Sequence, residues 1–263
     1  MAALQYVHVP GYSAIIFRKT LTDLQQNEGL LHRAHEWLDP YQEVRYIPSM
    51  HTFEWPNGAR LAFGYMGSIT AWMGYQGAAF QFVGWDEATQ HQEIYYREMI
   101  SRIRRVGCPL HGLRIIDGKY APIPDDPNCD QCLMKGQLSR VPLRLRATSN
   151  PGGPGHLWLK KRFKIHKDKK TGQWVSGVPE RPFIPASYKD NPALDAESYK
   201  KSLAELDEAR RAQLEEGDWD KLATGLYKHP WFQHYLYAGG YYILLNQETG
   251  QREFSFHEDK LRI

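Results

Sequence analysis

The sequence has little cysteine, no long apolar run and almost no net charge, and each lack removes a class of protein. Its three cysteines, Cys108, Cys129 and Cys132, fall within 25 positions of a 263-residue chain. An odd number so grouped is not the framework of a disulfide-stapled secreted domain. No uninterrupted apolar stretch approaches the roughly 20 residues of a membrane-spanning helix. Residues 1–11 lack the basic and apolar regions and the cleavage site of a secretion signal. These absences point to the cytosol and to no membrane partner. The formal net charge of +3 permits a nucleic-acid partner without requiring one. One further absence concerns chemistry: no G-x-x-x-x-G-K-[ST], the loop that cradles phosphates, occurs in the chain.

What is present suffices for a sizeable core, in one large domain or two smaller ones, since hydrophobic residues make up 42% of the chain. Residues 12–17, YSAIIF, read as a strand. The stretch 21–38 repeats at helical spacing through Leu24, Leu31, Ala34 and Leu38. Asn57-Gly58, between two strand-like pieces, predicts a hairpin over 51–65. AAFQFVGW is apolar on both alternating faces, as in a central strand covered from both sides. HQEIYYREMISRIRR continues as a helix with Ile94, Ile100 and Ile103 among its apolar positions. Residues 141–150 form a further strand and GPGHLWLKKRF a helix after a Pro-Gly-Gly turn. Beyond Phe163 comes a basic, turn-rich link. A helical segment over 192–217 follows, with Tyr199, Leu203 and Leu206 on one face and Gly217 placed to end it. A last hairpin is expected around residues 248–250. Strands alternating with helices imply an α/β fold with a mainly parallel sheet.

The sharpest signal is FQFVGWDEAT, a hydrophobic strand running into two adjacent carboxylates, Asp86 and Glu87. In open α/β sheets ligands bind beyond the carboxyl ends of strands. Carboxylate and water oxygens suit magnesium, and a second carboxylate can orient or deprotonate a water that attacks a phosphoryl group. Taken alone, the pair fits equally a strand entering a helix N-cap, where the helix dipole favours acids.

The surroundings bear on that choice. PGYSAIIFRKTLTDL, WPNGARLAFG, FVGWDEATQ, LRATSNPGGPGHLWLKKRF, DNPAL and EEGDWD followed by GLYKHPWF occur in this order over about residues 5–235. In order and content the chain resembles large terminase subunits of tailed bacteriophages. The resemblance implies a P-loop NTPase-type sheet in an ATP-driven motor that packages double-stranded viral DNA. Asp86 would then hold the magnesium of Mg-ATP through water, as the Walker B aspartate, and Glu87 would polarise the hydrolytic water. Thr148, Ser149 and Asn150 match the coupling motif that senses the γ-phosphate; as plain helix caps before Pro151 they need no such role. Implied partners are the viral DNA, the portal protein, the small terminase subunit and further copies of the chain in a ring, all in the host cytoplasm. For the trans-acting arginine of the family, Arg18, Arg102, Arg104 and Arg105 are the candidates, and each also fits a surface or DNA-facing charge.

Against that family pattern the chain lacks the phosphate loop, which implies a truncated N-terminus, and it lacks the acids of an RNase H-like nuclease domain. The expected division is an ATPase core over 1–165, a linker and helical subdomain over 166–225, and over 226–263 the start of a connection to a nuclease domain. An insertion over 107–136 carries C-x-x-H at Cys108 and His111 and C-x-x-C at Cys129 and Cys132, separated by 17 residues. Four such ligands around a hairpin turning at Asp117-Gly118 suit a closed, structural zinc site; unrelated thiols with an incidental histidine are the alternative. Two other functional readings stay open: a non-enzymatic, zinc-containing DNA- or capsid-binding module using the basic segment 158–170, and a helicase-like ATPase. The SNPGGPGHLW and DNPAL segments argue against the last.

Overall fold

The computed structural model describes residues 2–68, 70–106, 113–116, 119–122, 129–192, 194–221, 235–238, 241–245 and 252–257. In chain order its elements are β1 (Ser13–Arg18), α1 (Leu21–Gln25), α2 (Leu30–Leu38), β2 (Arg45–Ile47), β3 (Thr52–Glu54), β4 (Arg60–Tyr65), β5 (Phe82–Trp85) and α3 (Glu93–Ile100). There follow β6 (Leu113–Ile116), β7 (Lys119–Pro122), α4 (Asp130–Ser139), β8 (Arg144–Ala147), α5 (His156–Phe163), β9 (Ile165–Lys167) and β10 (Trp174–Ser176). The last elements are α6 (Ala196–Ala204), α7 (Glu208–Glu215), β11 (Tyr235–Ala238), β12 (Tyr241–Leu245) and β13 (Arg252–His257).

Six strands form the main sheet in the order β2-β3-β4-β1-β5-β8. β4, β1, β5 and β8 run parallel, and β3 is antiparallel to both β2 and β4. Alternation along each strand explains why both faces are covered. Ala14 and Phe82 enter one core with Leu24, Leu31, Ala34 and Leu38 of α1 and α2. Ile15, Phe17, Val83 and Trp85 enter the other with Tyr95, Tyr96 and Met99 of α3 and Leu159 of α5. All four residues of β5 are buried, as a strand with a neighbour on each side and helices over each face requires. The expected α/β architecture with a mainly parallel sheet is therefore present.

The hairpin expected over 51–65 is β3–β4, and Gly58 takes a positive φ of 77° at its turn. The C-terminal hairpin is β12–β13, to which β11 adds a third antiparallel strand; its turn lies outside the described residues.

Three readings change. The periodic stretch 21–38 is two helices, because Glu28 adopts a left-handed φ of 61° and Gly29 then begins α2 in extended geometry. The Thr20 and Asp23 side chains form a capping box on the first of them. On α3 the inward face is Tyr95, Tyr96 and Met99, whereas Ile94 and Ile100 are exposed; Ile103 bridges to Phe80. The segment 192–217 is also divided, and Asp207 caps α7 by accepting from the Arg210 N–H at 2.9 Å. In addition, the basic link after Phe163 contains a small antiparallel pair, β9–β10.

Candidate active site at the ends of three parallel strands

Register brings the site together. Phe17 pairs with Trp85, and Trp85 with Ala147, so the next residue on each strand, Arg18, Asp86 and Thr148, falls in one row at the sheet's carboxyl end. The row is closed by side chains. Arg18 donates from Nη1 to Asp86 Oδ2 at 2.9 Å, and the Thr148 hydroxyl donates to Asp86 Oδ1 at 2.6 Å. Backbone bonds fix its ends: Asp86 N–H donates to the Phe17 carbonyl, Thr148 N–H to that of Trp85, and Ala88 N–H to that of Thr148. Beneath it the Phe17 and Trp85 rings stack with centroids 4.9 Å apart.

Glu87 occupies the turn just beyond. Its φ and ψ of 52° and 53° lie in the left-handed region, a conformation that costs a non-glycine residue about 1 kcal/mol or more and that surrounding contacts must enforce. The enforcement comes from the strand-end loop of β8. Thr89 N–H donates to the Ser149 hydroxyl at 3.0 Å, the Thr89 and Ser149 hydroxyls are 2.7 Å apart, and the Thr89 hydroxyl donates to the Asn150 carbonyl at 2.9 Å. Burial pushes the Glu87 carboxyl above its usual range and the adjacent Asp86 adds to this, while Arg18, the Asn150 N–H and Arg210 oppose it. A carboxylate of raised basicity beside one held by a guanidinium and a hydroxyl is the division of labour that general-base chemistry uses.

The loop after Asn150 is anchored from behind. Gly152 N–H donates to His156 Nδ1 at 2.8 Å, and the other ring nitrogen of this buried histidine bonds the Trp219 carbonyl at 3.1 Å. Gly152 has φ of 101°, and a Cβ there would lie 2.6 Å from Gln213 Oε1 and 3.0 Å from Arg210 Nη1. The strand-end loop thus rests directly on α7. Deeper still, His91 is 1% exposed, its ring packs edge-on against Trp85, and neither ring nitrogen completes a hydrogen bond among the described residues. Burial is the main reason its pKa is depressed to about 4.

Sequence reasoning placed Asp86, Glu87, Thr148, Ser149 and Asn150, and the fold brings all five to one end of the sheet. It did not find Arg18 as the partner of Asp86, nor His91, His156 or Arg210. A cation closing an apolar strand was the available signal for Arg18. The other arginines considered for a trans-acting role are engaged within the chain: Arg102 with the Tyr75 carbonyl, Arg104 with that of Gly77, and Arg105 with those of Ser139 and Val141. Of the four residues expected to hold zinc, Cys108 and His111 lie outside the described residues, Cys129 is buried just before α4, and Cys132 belongs to that helix. The β6–β7 hairpin stands between the Cys108/His111 and Cys129/Cys132 pairs, as expected, with its Asp117-Gly118 turn outside the described residues.

The donor set suits a hard cation. Asp86 and Glu87 offer carboxylate oxygens, and Thr148 offers a hydroxyl at hydrogen-bond distance, the oxygen-only chemistry that magnesium prefers over nitrogen or sulfur. No helix among the described residues is long and apolar enough to cross a membrane.

No protein-family model and no curated protein matches the chain. Among solved structures it is similar to the large terminase from a thermophilic bacteriophage, with 15% identity and a TM-score of 0.51 over 95% of this chain and 57% of that one. Another crystal form of that terminase, in complex with ADP, aligns over the same shares with a TM-score of 0.48. The chain has a large-terminase-like fold and spans a little over half the length of the protein it matches.

Proposed function

We propose that this chain is the central ATPase portion of a large terminase subunit, the motor that uses Mg-ATP to package double-stranded viral DNA into procapsids in the host cytoplasm. The observation that carries the reading is the row Arg18, Asp86, Thr148 with Glu87 beyond it, at the carboxyl end of the central parallel strand. Bound there, magnesium supplies charge neutralisation for a polyphosphate. Asp86 would hold that ion. Glu87, made basic by its burial, accepts a proton from the attacking water. Thr148, Ser149 and Asn150 carry the change in Asp86 and Glu87 to α7 through the close packing of Gly152 on Gln213 and Arg210, and to the Trp219 backbone through His156. The portal protein, the small terminase subunit and further copies of the chain are the partners this reading requires.

The test uses the reading frame that contains this chain together with a phosphate-binding loop, with DNA-stimulated ATP hydrolysis as the readout. Glu87→Gln is expected to lower kcat about 100-fold or more with nucleotide binding retained, and Asp86→Asn to abolish magnesium-dependent binding. For the 263-residue chain alone the expectation is weak nucleotide binding, because the loop that cradles phosphates is absent. Steady turnover by this chain that is lost in Glu87→Gln contradicts that expectation.

A structural zinc held by Cys108, His111, Cys129 and Cys132 belongs to the same proposal. The hairpin between the ligand pairs and the burial of Cys129 support it, and metal analysis showing one zinc per chain, lost in Cys129→Ser, tests it. The second reading, a zinc-containing DNA- or capsid-binding module without enzymatic activity, is favoured by the missing phosphate loop and by the exposed Lys161, Lys164, Lys167, Lys169 and Lys170 around β9. DNA binding that weakens steeply with salt and ignores ATP selects it.

A further inference from the structure

The geometry points to Arg18 as a tethered cation that occupies the place of a metal ion on Asp86 and must be displaced before the metal binds. The inference rests on the magnesium reading of Asp86 given above. Both oxygens of that carboxylate are already engaged, Oδ1 by the Thr148 hydroxyl at 2.6 Å and Oδ2 by the Arg18 guanidinium at 2.9 Å. A divalent cation arriving at Oδ2, directly or through one water, meets a fixed positive charge at hydrogen-bond distance. In a partly desolvated site that repulsion is weakly screened.

The contact is also built to release. Arg18 gives Asp86 one hydrogen bond rather than the two-pronged fork of the strongest arginine–carboxylate pairs. Its Nε is buried and completes no hydrogen bond among the described residues, so Asp86 is the guanidinium's one hydrogen-bonding partner among them. The two side chains are 20% and 27% exposed, which leaves a solvent side for the guanidinium to move into. The backbone need not follow, because the Arg18 carbonyl accepts from Met66 N–H at 3.1 Å and Arg18 is registered against Tyr65 on β4. Arg18 also opposes the raised basicity of Glu87. One side chain thereby serves both acids while the metal is absent, and this relieves the repulsion between two adjacent carboxylates that would otherwise oppose folding of the turn.

The test is a Mn²⁺ titration followed by electron paramagnetic resonance, without nucleotide, on the 263-residue chain. Arg18→Gln is expected to bind Mn²⁺ at least tenfold more tightly than the unsubstituted chain. Arg18→Lys, which keeps the charge, should stay within about threefold of the unsubstituted chain. Asp86→Asn in the Arg18→Gln background should remove the gain, which also separates this site from the exposed Glu28, His32 and Glu36 grouping. Unchanged or weaker binding in Arg18→Gln overturns displacement by Arg18, and it leaves the magnesium reading standing if Asp86→Asn still weakens binding. An equal gain in Arg18→Lys also overturns it, since charge is then not the cause. Binding indifferent to Asp86→Asn in both backgrounds overturns the magnesium reading as well. Arg18→Met, which retains the aliphatic stem, repeats the comparison if Arg18→Gln does not give a cooperative thermal transition.

Discussion

β5 and β8 lie side by side, run in the same direction and end on the same site, yet they are built to opposite specifications. Every residue of β5 is buried between neighbours on both sides, whereas β8 is the last strand of the sheet among the described residues, with Arg146 exposed and its other residues half-buried. The acids ride on the strand that packing holds still. The hydroxyl and amide groups of residues 148–150 ride on the one with a single neighbour among the described residues, and its loop is instead hydrogen-bonded to His156 of α5 and packed closely on Gln213 and Arg210 of α7. A central strand is fixed by contacts on every side, while an edge strand gives up fewer when it shifts. The site therefore pairs a rigid floor with an adjustable rim.

The largest effect that could break this contrast is expected on β5. Trp85→Ala should cost about 3–5 kcal/mol in urea denaturation, because a fully buried ring stacked on Phe17 is replaced by a cavity. Arg146→Ala on β8 should change stability by less than about 0.5 kcal/mol. Comparable losses at the two positions would remove the distinction between floor and rim.

Next is acid sensitivity beneath the floor. An unfolded histidine takes up a proton near pH 6.5, whereas folded His91 resists until about pH 4. Between these values the unfolded state binds more protons, so stability falls as pH falls, by about 3 kcal/mol over the window. Glu87 acts in the opposite sense: its raised folded pKa favours the folded state in acid. The difference between the unsubstituted chain and His91→Phe, measured at several pH values, isolates the histidine, and parallel profiles would contradict the assignment.

The smallest effect belongs to the contact between floor and rim. Thr148→Val removes the 2.6 Å hydrogen bond to Asp86 while keeping the side chain's shape. It should cost about 1 kcal/mol and speed amide exchange in residues 148–150 without changing exchange in β5. Faster exchange in β5 would mean that the two strands move together.

Much of the fold was legible because its signals are local. Asn57-Gly58 specifies its own turn, and the largely apolar run before Asp86, short and apolar on both alternating faces, reads as a strand covered on both faces. The failures have local causes as well. Leu24 and Leu31 are seven residues apart, a spacing that continues helical periodicity straight across the break at Glu28 and Gly29, so the pattern conceals two helices as one. On α3 the isoleucines were the most hydrophobic residues, but the face turned inward is the one whose Tyr96 reaches the Trp85 ring and the guanidinium of Arg162.

By itself the sequence determined the strand, the acid pair at its tip, the hydroxyl and amide cluster at residues 148–150 and the kind of sheet that would carry them, because residue type and period suffice for those. Only the tertiary structure decided what Asp86 touches. Arg18 and Thr148 stand 68 and 62 residues from it along the chain, and they meet it because parallel register places the residues after Phe17, Trp85 and Ala147 in a single row. Register is set by which residues bury together across strands, a property of pairs that no single stretch of chain contains.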